Sequence, residues 1–180
     1  MVIGVAGGIL LSNYFSPNLK KNEHSEKNNT LPSDIHPDQV IKVVDDMYAI
    51  VVRPSMNVWL PNIPLNFQAR YRGVLRWDKS NKKWEKFLVI EDTDTKLSQS
   101  NNPVDLWFEY GVPHLLVSDV NGGGSGEGVG KVLVPVDSSM SEWKVVECFD
   151  FALDTGKGKT RNLQSKECQA VKVSPVSMAL

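Results

Sequence analysis

The chain has 180 residues, 41% of them hydrophobic, with 20 basic against 21 acidic side chains and a net charge of −1. That length suits one globular domain with something added, and near-neutral charge gives no bulk attraction to nucleic acid or to an anionic membrane. Thirteen glycines and ten prolines are far too few for a collagen-like or low-complexity polymer.

The first eleven residues, Met1 to Leu11, carry no charged side chain. A spanning helix needs about 20 apolar residues, whereas the apolar part of a signal peptide needs about 7–15. The run therefore reads as the remnant of a signal or anchor (residues 1–15), although it lacks a basic segment before it and a small-x-small cleavage site after it. The alternative is a first strand or helix buried in a core. Residues 16–33, SPNLKKNEHSEKNNTLPS, hold Leu19 and Leu31 as their only large apolar side chains. Such a stretch buries too little to offset its ordering entropy and is expected to be a polar linker. Lys20 and Lys21 oppose export of this flank, because basic residues beside an apolar segment favour the cytoplasmic side. An apolar stub, a polar linker and a folded domain at 34–180 together describe an exported or membrane-tethered module, with a cytoplasmic domain as the competing layout.

Within the domain, Val40, Val43, Val44, Met47, Tyr48 and Val51 follow helical spacing, and Pro37-Asp38 suits a first turn. The spacing predicts one short helix over 37–47, then a strand ending at Arg53-Pro54. Beyond it period two takes over. Leu65, Phe67, Ala69, Tyr71, Gly73, Leu75 and Trp77 alternate with residues that include Arg70, Arg72 and Arg76, which predicts a long half-buried strand. Asp78 to Lys82 supplies a turn and Lys83 to Ile90 the second strand of a hairpin. Further strands are expected at 104–110, 114–120, 130–136, 143–151 and 170–176. The fold class that follows is mainly β, an antiparallel sandwich or barrel with one short N-terminal helix.

Cys148 and Cys168 flank the turn-rich segment Asp154 to Asn162, expected to be a mobile loop. An even cysteine count in a chain read as exported predicts a disulfide between them. No CxxC spacing offers a zinc ribbon or a redox motif.

Asp119-Val-Asn-Gly-Gly-Gly-Ser-Gly-Glu127 is the sharpest local pattern. Calcium takes six to eight oxygen ligands at about 2.3–2.6 Å, which a short loop gathers from oxygen side chains at positions 1, 3 and 9 with glycine at 6. Asp119, Asn121 and Glu127 hold 1, 3 and 9, and Gly124 holds 6. Over these nine residues the chain resembles the calcium loops of integrin-type propeller repeats. The resemblance implies calcium bound by Asp119, Asn121 and Glu127, but Gly123 stands where the family places a further carboxylate. The other reading is a glycine-rich hairpin connection whose Asp119 and Asn121 make turn hydrogen bonds. Counts exclude a Walker loop, since Ser125 stands where Gly130-Lys131 would need the first glycine and Leu153 where Gly158-Lys159-Thr160 would.

Arg70, Arg72 and Arg76, extended by Lys79, Lys82, Lys83 and Lys86, form a basic stripe on the polar side of the long strand. It is read either as a solvated face or as a binding surface for an acidic protein or glycan. Nucleic acid is disfavoured, because Tyr71 and Trp77 fall on the opposite face from the arginines and cannot share a stacking platform with them. A glycan-directed hydrolase would draw on paired carboxylates among Asp92, Asp94, Asp119 and Glu127. Of the three histidines only His114 lies on a strand start, and no nucleophile motif is present. The expected function is therefore non-catalytic binding or assembly in the cell envelope or outside the cell. The partner would be a protein or a glycan, calcium would assist, and contact with a membrane would run only through the N-terminal stub.

Overall fold

A computed structural model describes residues 30–53, 62–64, 67–68, 70–91, 101–119, 127–152, 155–169 and 171–176. They form two five-stranded antiparallel sheets. The first contains β1 (Val40–Val44), β2 (Tyr48–Val51), β3 (Gly73–Asp78), β4 (Lys83–Ile90) and β10 (Val173–Pro175), in that spatial order. The second runs β5 (Asn102–Glu109), β6 (Val112–Ser118), β7 (Glu127–Pro135), β8 (Trp143–Ala152) and β9 (Gly156–Thr160). Ile41, Ile50, Val74, Leu88 and Val173 of the first sheet meet Leu106, Leu115, Val117, Leu133 and Trp143 of the second in one buried cluster. The mainly β, antiparallel class expected from period two is observed, and of the sandwich or barrel expected, two sheets sharing one core fit a sandwich.

The segment with helical spacing does not form a helix. Only Pro37–Gln39 makes a turn of 3-10 helix, and Val40 onward is strand β1, paired with β2. Both faces of β1 are covered: Ile41 and Val44 face the shared core, while Val40 and Val43 pack in a second cluster on the outside of the sheet. A strand buried on both faces is apolar nearly throughout, and such a run can match a helical template by coincidence. Its β-branched residues and the Asp45-Asp46 turn, both at positive φ, decide for strand. Gln39 anchors the 3-10 turn: fully buried, it donates from Nε2 to Val52 O (2.9 Å) and Tyr71 O (3.3 Å), and its Oε1 accepts His36 N–H (2.9 Å).

The long strand predicted over 65–77 is shorter and covered on the side expected to be wet. β3 begins at Gly73; Leu65, Asn66 and Ala69 lie outside the described residues. Tyr71, Leu75 and Trp77 pack on the outside of the sheet beneath Leu31 and Ile35, together with Trp84. Val74, on the opposite face, joins the shared core. Thr30 and Leu31, read as linker, thus belong to the fold: Thr30 O accepts Trp84 N–H at 3.1 Å and Leu31 covers the outer cluster. The segment expected to be a mobile loop between the cysteines carries β9, paired with β8.

Register sets the ends of the sandwich. The short connections after β1, β3, β5 and β7 share one end. Phe108 near the β5–β6 turn meets Tyr48 at the start of β2, with ring centroids 5.1 Å apart. The connections after β2, β4, β6 and β8 lie at the other end, where Asn102 Oδ1 at the start of β5 accepts Arg53 N–H after β2 (3.2 Å).

Candidate functional site

Of the sequence-derived candidates, Arg70, Asp119 and Glu127 lie at the end with the longer connections, whereas Arg76, paired with Tyr48, lies toward the other. Asp119 follows β6 and Glu127 opens β7, so the two stand at the roots of the glycine-rich loop; Asn121 lies outside the described residues. Asp119 is buried. Its N–H donates to Val129 O (3.2 Å) and its Oδ1 accepts Val129 N–H (2.7 Å), so the side chain extends the β6–β7 ladder by one rung. Burial pushes its carboxyl above the usual carboxylate range, against the pull of the Val129 N–H and of Lys131. Glu127 is exposed. Among the described residues no three His, Cys, Asp or Glu side chains converge as metal ligands would.

Beside Asp119, on the same face of the next strand, Lys131 is also buried, opposite Cys148. Burial lowers its ammonium, while Asp119 and Glu167 pull the other way. The predicted bridge is present: Cys148 on β8 is bonded to Cys168 of the 3-10 turn Lys166–Cys168, with Cα atoms 5.8 Å apart. Both cysteines pack with Val129, and Arg161 Nε reaches Asp150 Oδ1 at 2.5 Å.

The three arginines do not form one exposed stripe. Arg70 is exposed; Arg72 is 2% exposed and donates from Nε to Ile90 O (3.2 Å); Arg76 is half-buried over the Phe87 ring, 5.1 Å from its centroid. The face of β3 that carries Arg76 looks toward the second sheet, and a guanidinium with a long apolar stem can line the rim of a core. Lys86 turns to the other face, bonded to Asp34 (2.6 Å) and over the Tyr71 ring.

Of the four carboxylates considered for a hydrolase, Asp119 and Glu127 flank one loop. Asp92 and Asp94 lie outside the described residues. Glu91 is held by Lys172 (2.5 Å) and Ser174 (2.9 Å), and Asp105 by Lys42 (2.5 Å). His114 stacks on Trp107 with its Nδ1 3.1 Å from Val112 O, and Glu109 Oε1 accepts the Trp107 indole N–H (3.1 Å).

Sequence reasoning missed two features. Lys131 sits in an apolar strand and carries no local signal of burial beside a carboxylate. Tyr110, at the tip of the β5–β6 hairpin, is fully exposed; the Tyr-Gly pair between two strands marks the turn but does not single out its aromatic ring. Comparison with protein-family models, curated proteins and solved structures finds no match for this chain.

Proposed function

We propose that the protein is a non-catalytic binding or assembly module, exported or membrane-tethered, that meets a protein or glycan partner at the end bearing its longer connections. The observation that supports this reading is that Arg70, before β3, and the Asp119/Glu127 pair, which flanks the β6–β7 connection, stand at the same end of a disulfide-bonded sandwich although far apart in sequence. Recognition loops borne on a rigid β scaffold are a common way to build a binding surface. The disulfide suits an oxidising compartment, and the apolar first eleven residues supply the signal or anchor. Calcium is a secondary part of the reading, with Asp119 and Glu127 contributing oxygens from the two roots of the loop.

The test is photo-crosslinking in the protein's own cells with a reactive amino acid at Arg70, at Glu127 or, as a control, at Val146 on the surface of β8. One partner captured from positions 70 and 127 but not from 146 supports the reading. Capture spread evenly over the three positions overturns it. Intact mass before and after reduction, with thiol alkylation, tests the compartment. Thiols that react only after reduction are expected, and thiols free from the outset would sink export.

A further inference from the structure

Among the described residues, six large hydrophobic side chains are exposed, and four of them share one end of the second sheet. Phe108 (36% exposed), Tyr110 (105%) and Val112 (42%) surround the β5–β6 turn. Val136 (50%) follows β7, which pairs with β6 and runs toward the same end. Scattered single apolar residues are ordinary on a protein surface, whereas a cluster of them marks contact with something apolar. The cluster is convex: Tyr110 forms the tip, with Phe108 on the side toward the first sheet and Val112 on the outer side. Behind it Phe108 packs on Tyr48, and Tyr48 on Phe87 (centroids 5.7 Å apart), so the knob is braced by both sheets.

The place where the chain joins the fold says what covers this knob. Thr30 is hydrogen-bonded to Trp84, two residues beyond the β3–β4 turn, and that turn lies at the same end as Tyr110. Fourteen residues, 16–29, separate this point from the apolar stub at 1–15. With the stub in a bilayer, the end that carries Thr30 and Tyr110 is the end held toward the lipid.

We propose that the β5–β6 hairpin tip is a lipid-contact element, with Tyr110, Phe108, Val112 and Val136 seated in the interfacial layer of the bilayer that holds the N-terminal segment. The proposal rests on the tethered reading above and adds to it an orientation, with the longer connections and their binding surface facing away from the membrane. Tyrosine suits that layer because its ring is apolar and its hydroxyl stays wet. Exposed Lys79, Lys82 and Lys83 on the β3–β4 turn stand at the same end but are matched by Asp45, Asp46, Asp78, Glu85 and Glu109. Apolar contact therefore leads and anionic lipid is not required.

The test uses the full-length chain with its disulfide intact, carrying an environment-sensitive fluorophore on Val112→Cys or, at the opposite end, on Thr155→Cys. Each is mixed with phosphatidylcholine vesicles, with and without phosphatidylserine. The expected result is flotation with both vesicle types, a blue shift with quenching by bilayer nitroxides at 112, and no change at 155. Adding Tyr110→Ser to the 112 probe should reduce the quenching several-fold while leaving flotation through the stub intact. Flotation with both probes still in water overturns the tip contact and leaves the tether standing. Contact that appears only with phosphatidylserine assigns it to the lysines and overturns the apolar mechanism. A chain that does not float overturns the tether and this proposal together.

Discussion

Gly73 opens β3 at φ +153, and a Cβ there would sit 2.0 Å from Leu88 O. The obstacle is a backbone carbonyl in a paired strand, which cannot swing aside as a side-chain end can. Tyr71 adds to the tightness, with its hydroxyl 2.7 Å from Leu88 O and 2.9 Å from Val74 O. Gly73→Ala is expected to lower unfolding free energy by about 2–4 kcal/mol, from strain and overpacking together, measured by urea denaturation. Asp119 and Lys131 offer a second test. Burial raises the Asp119 carboxyl and lowers the Lys131 ammonium. A raised carboxyl contributes stability that is full below its unfolded pKa of about 3.9 and is lost as pH rises through its higher folded value. A lowered amine contributes stability that is full above its unfolded pKa of about 10.4 and is lost as pH falls through its lower folded value. At neutral pH both groups are charged in the unfolded chain, so the folded state bears both costs. Asp119→Asn combined with Lys131→Met, which keeps an acceptor for Val129 N–H and removes both charges, should therefore match or exceed the parent in urea at pH 7. Asp119→Ala alone should cost about 1–3 kcal/mol, because Val129 N–H loses its acceptor. A double variant much weaker than the parent would show that the pair stabilises the fold.

At the scale of elements, the hairpins decide which side chains reach solvent. Tyr110 and Gly111 both take positive φ, +49 and +80, between the paired residues Glu109 and Val112. A two-residue connection of this kind matches the right-handed twist of its strands and favours Asn or Gly at both positions. Nothing lies within 4 Å of a Cβ built on Gly111, so Gly111→Ala isolates the conformational cost, expected at about 1 kcal/mol. Tyrosine at the first position bears a similar cost without any packing gain, since its ring is in solvent. A Tyr110→Asn variant should therefore melt higher than the parent, and a lower melting temperature would mean that the ring stabilises the fold. In β9 the sequence Gly-Lys-Gly-Lys-Thr looks like loop because strand propensity is low there. Pairing with β8 and the Lys157–Glu147 and Arg161–Asp150 ion pairs nevertheless order it. Exposed lysines on this outermost strand also discourage pairing with another sheet edge.

For the whole molecule, the disulfide ties the second sheet to the segment that leads back to the first. Cys168 lies a few residues before Val171 and Val173, which sit in the shared core, and β10 closes the first sheet beside β4. The bond spans 20 positions and acts on the unfolded chain, so its worth does not depend on β9 being ordered. Replacing both cysteines by alanine should cost about 3 kcal/mol by the chain-entropy account, read as the urea midpoint of the variant against the oxidised parent. A loss under about 1 kcal/mol would mean that the β8–β9 pairing already restrains this region in the unfolded ensemble.

The hydrophobic periodicity of the chain determined that it is a β protein. Alternation in the 83–90 and 104–120 stretches, with turn residues between them, allows little else, because side-chain direction in a strand has a period of two whatever lies above it. The cysteine count likewise pointed to the bridge before its geometry was known. Tertiary structure alone decided what covers each face. Arg72 and Arg76 alternate with aromatic residues and so read as solvent-facing, yet the second sheet lies over that face while residues 30–39 lie over the other. Val40 to Val44 reads as a helix for the same reason, since a strand packed on both sides loses the polar half of its alternation. The burial of Asp119 and Lys131, the exposure of Tyr110, and the position of Arg70, Asp119 and Glu127 at one end all follow from the register between strands and from two sheets closing on a shared core. Those are contacts between residues far apart in the chain, and no local pattern encodes them.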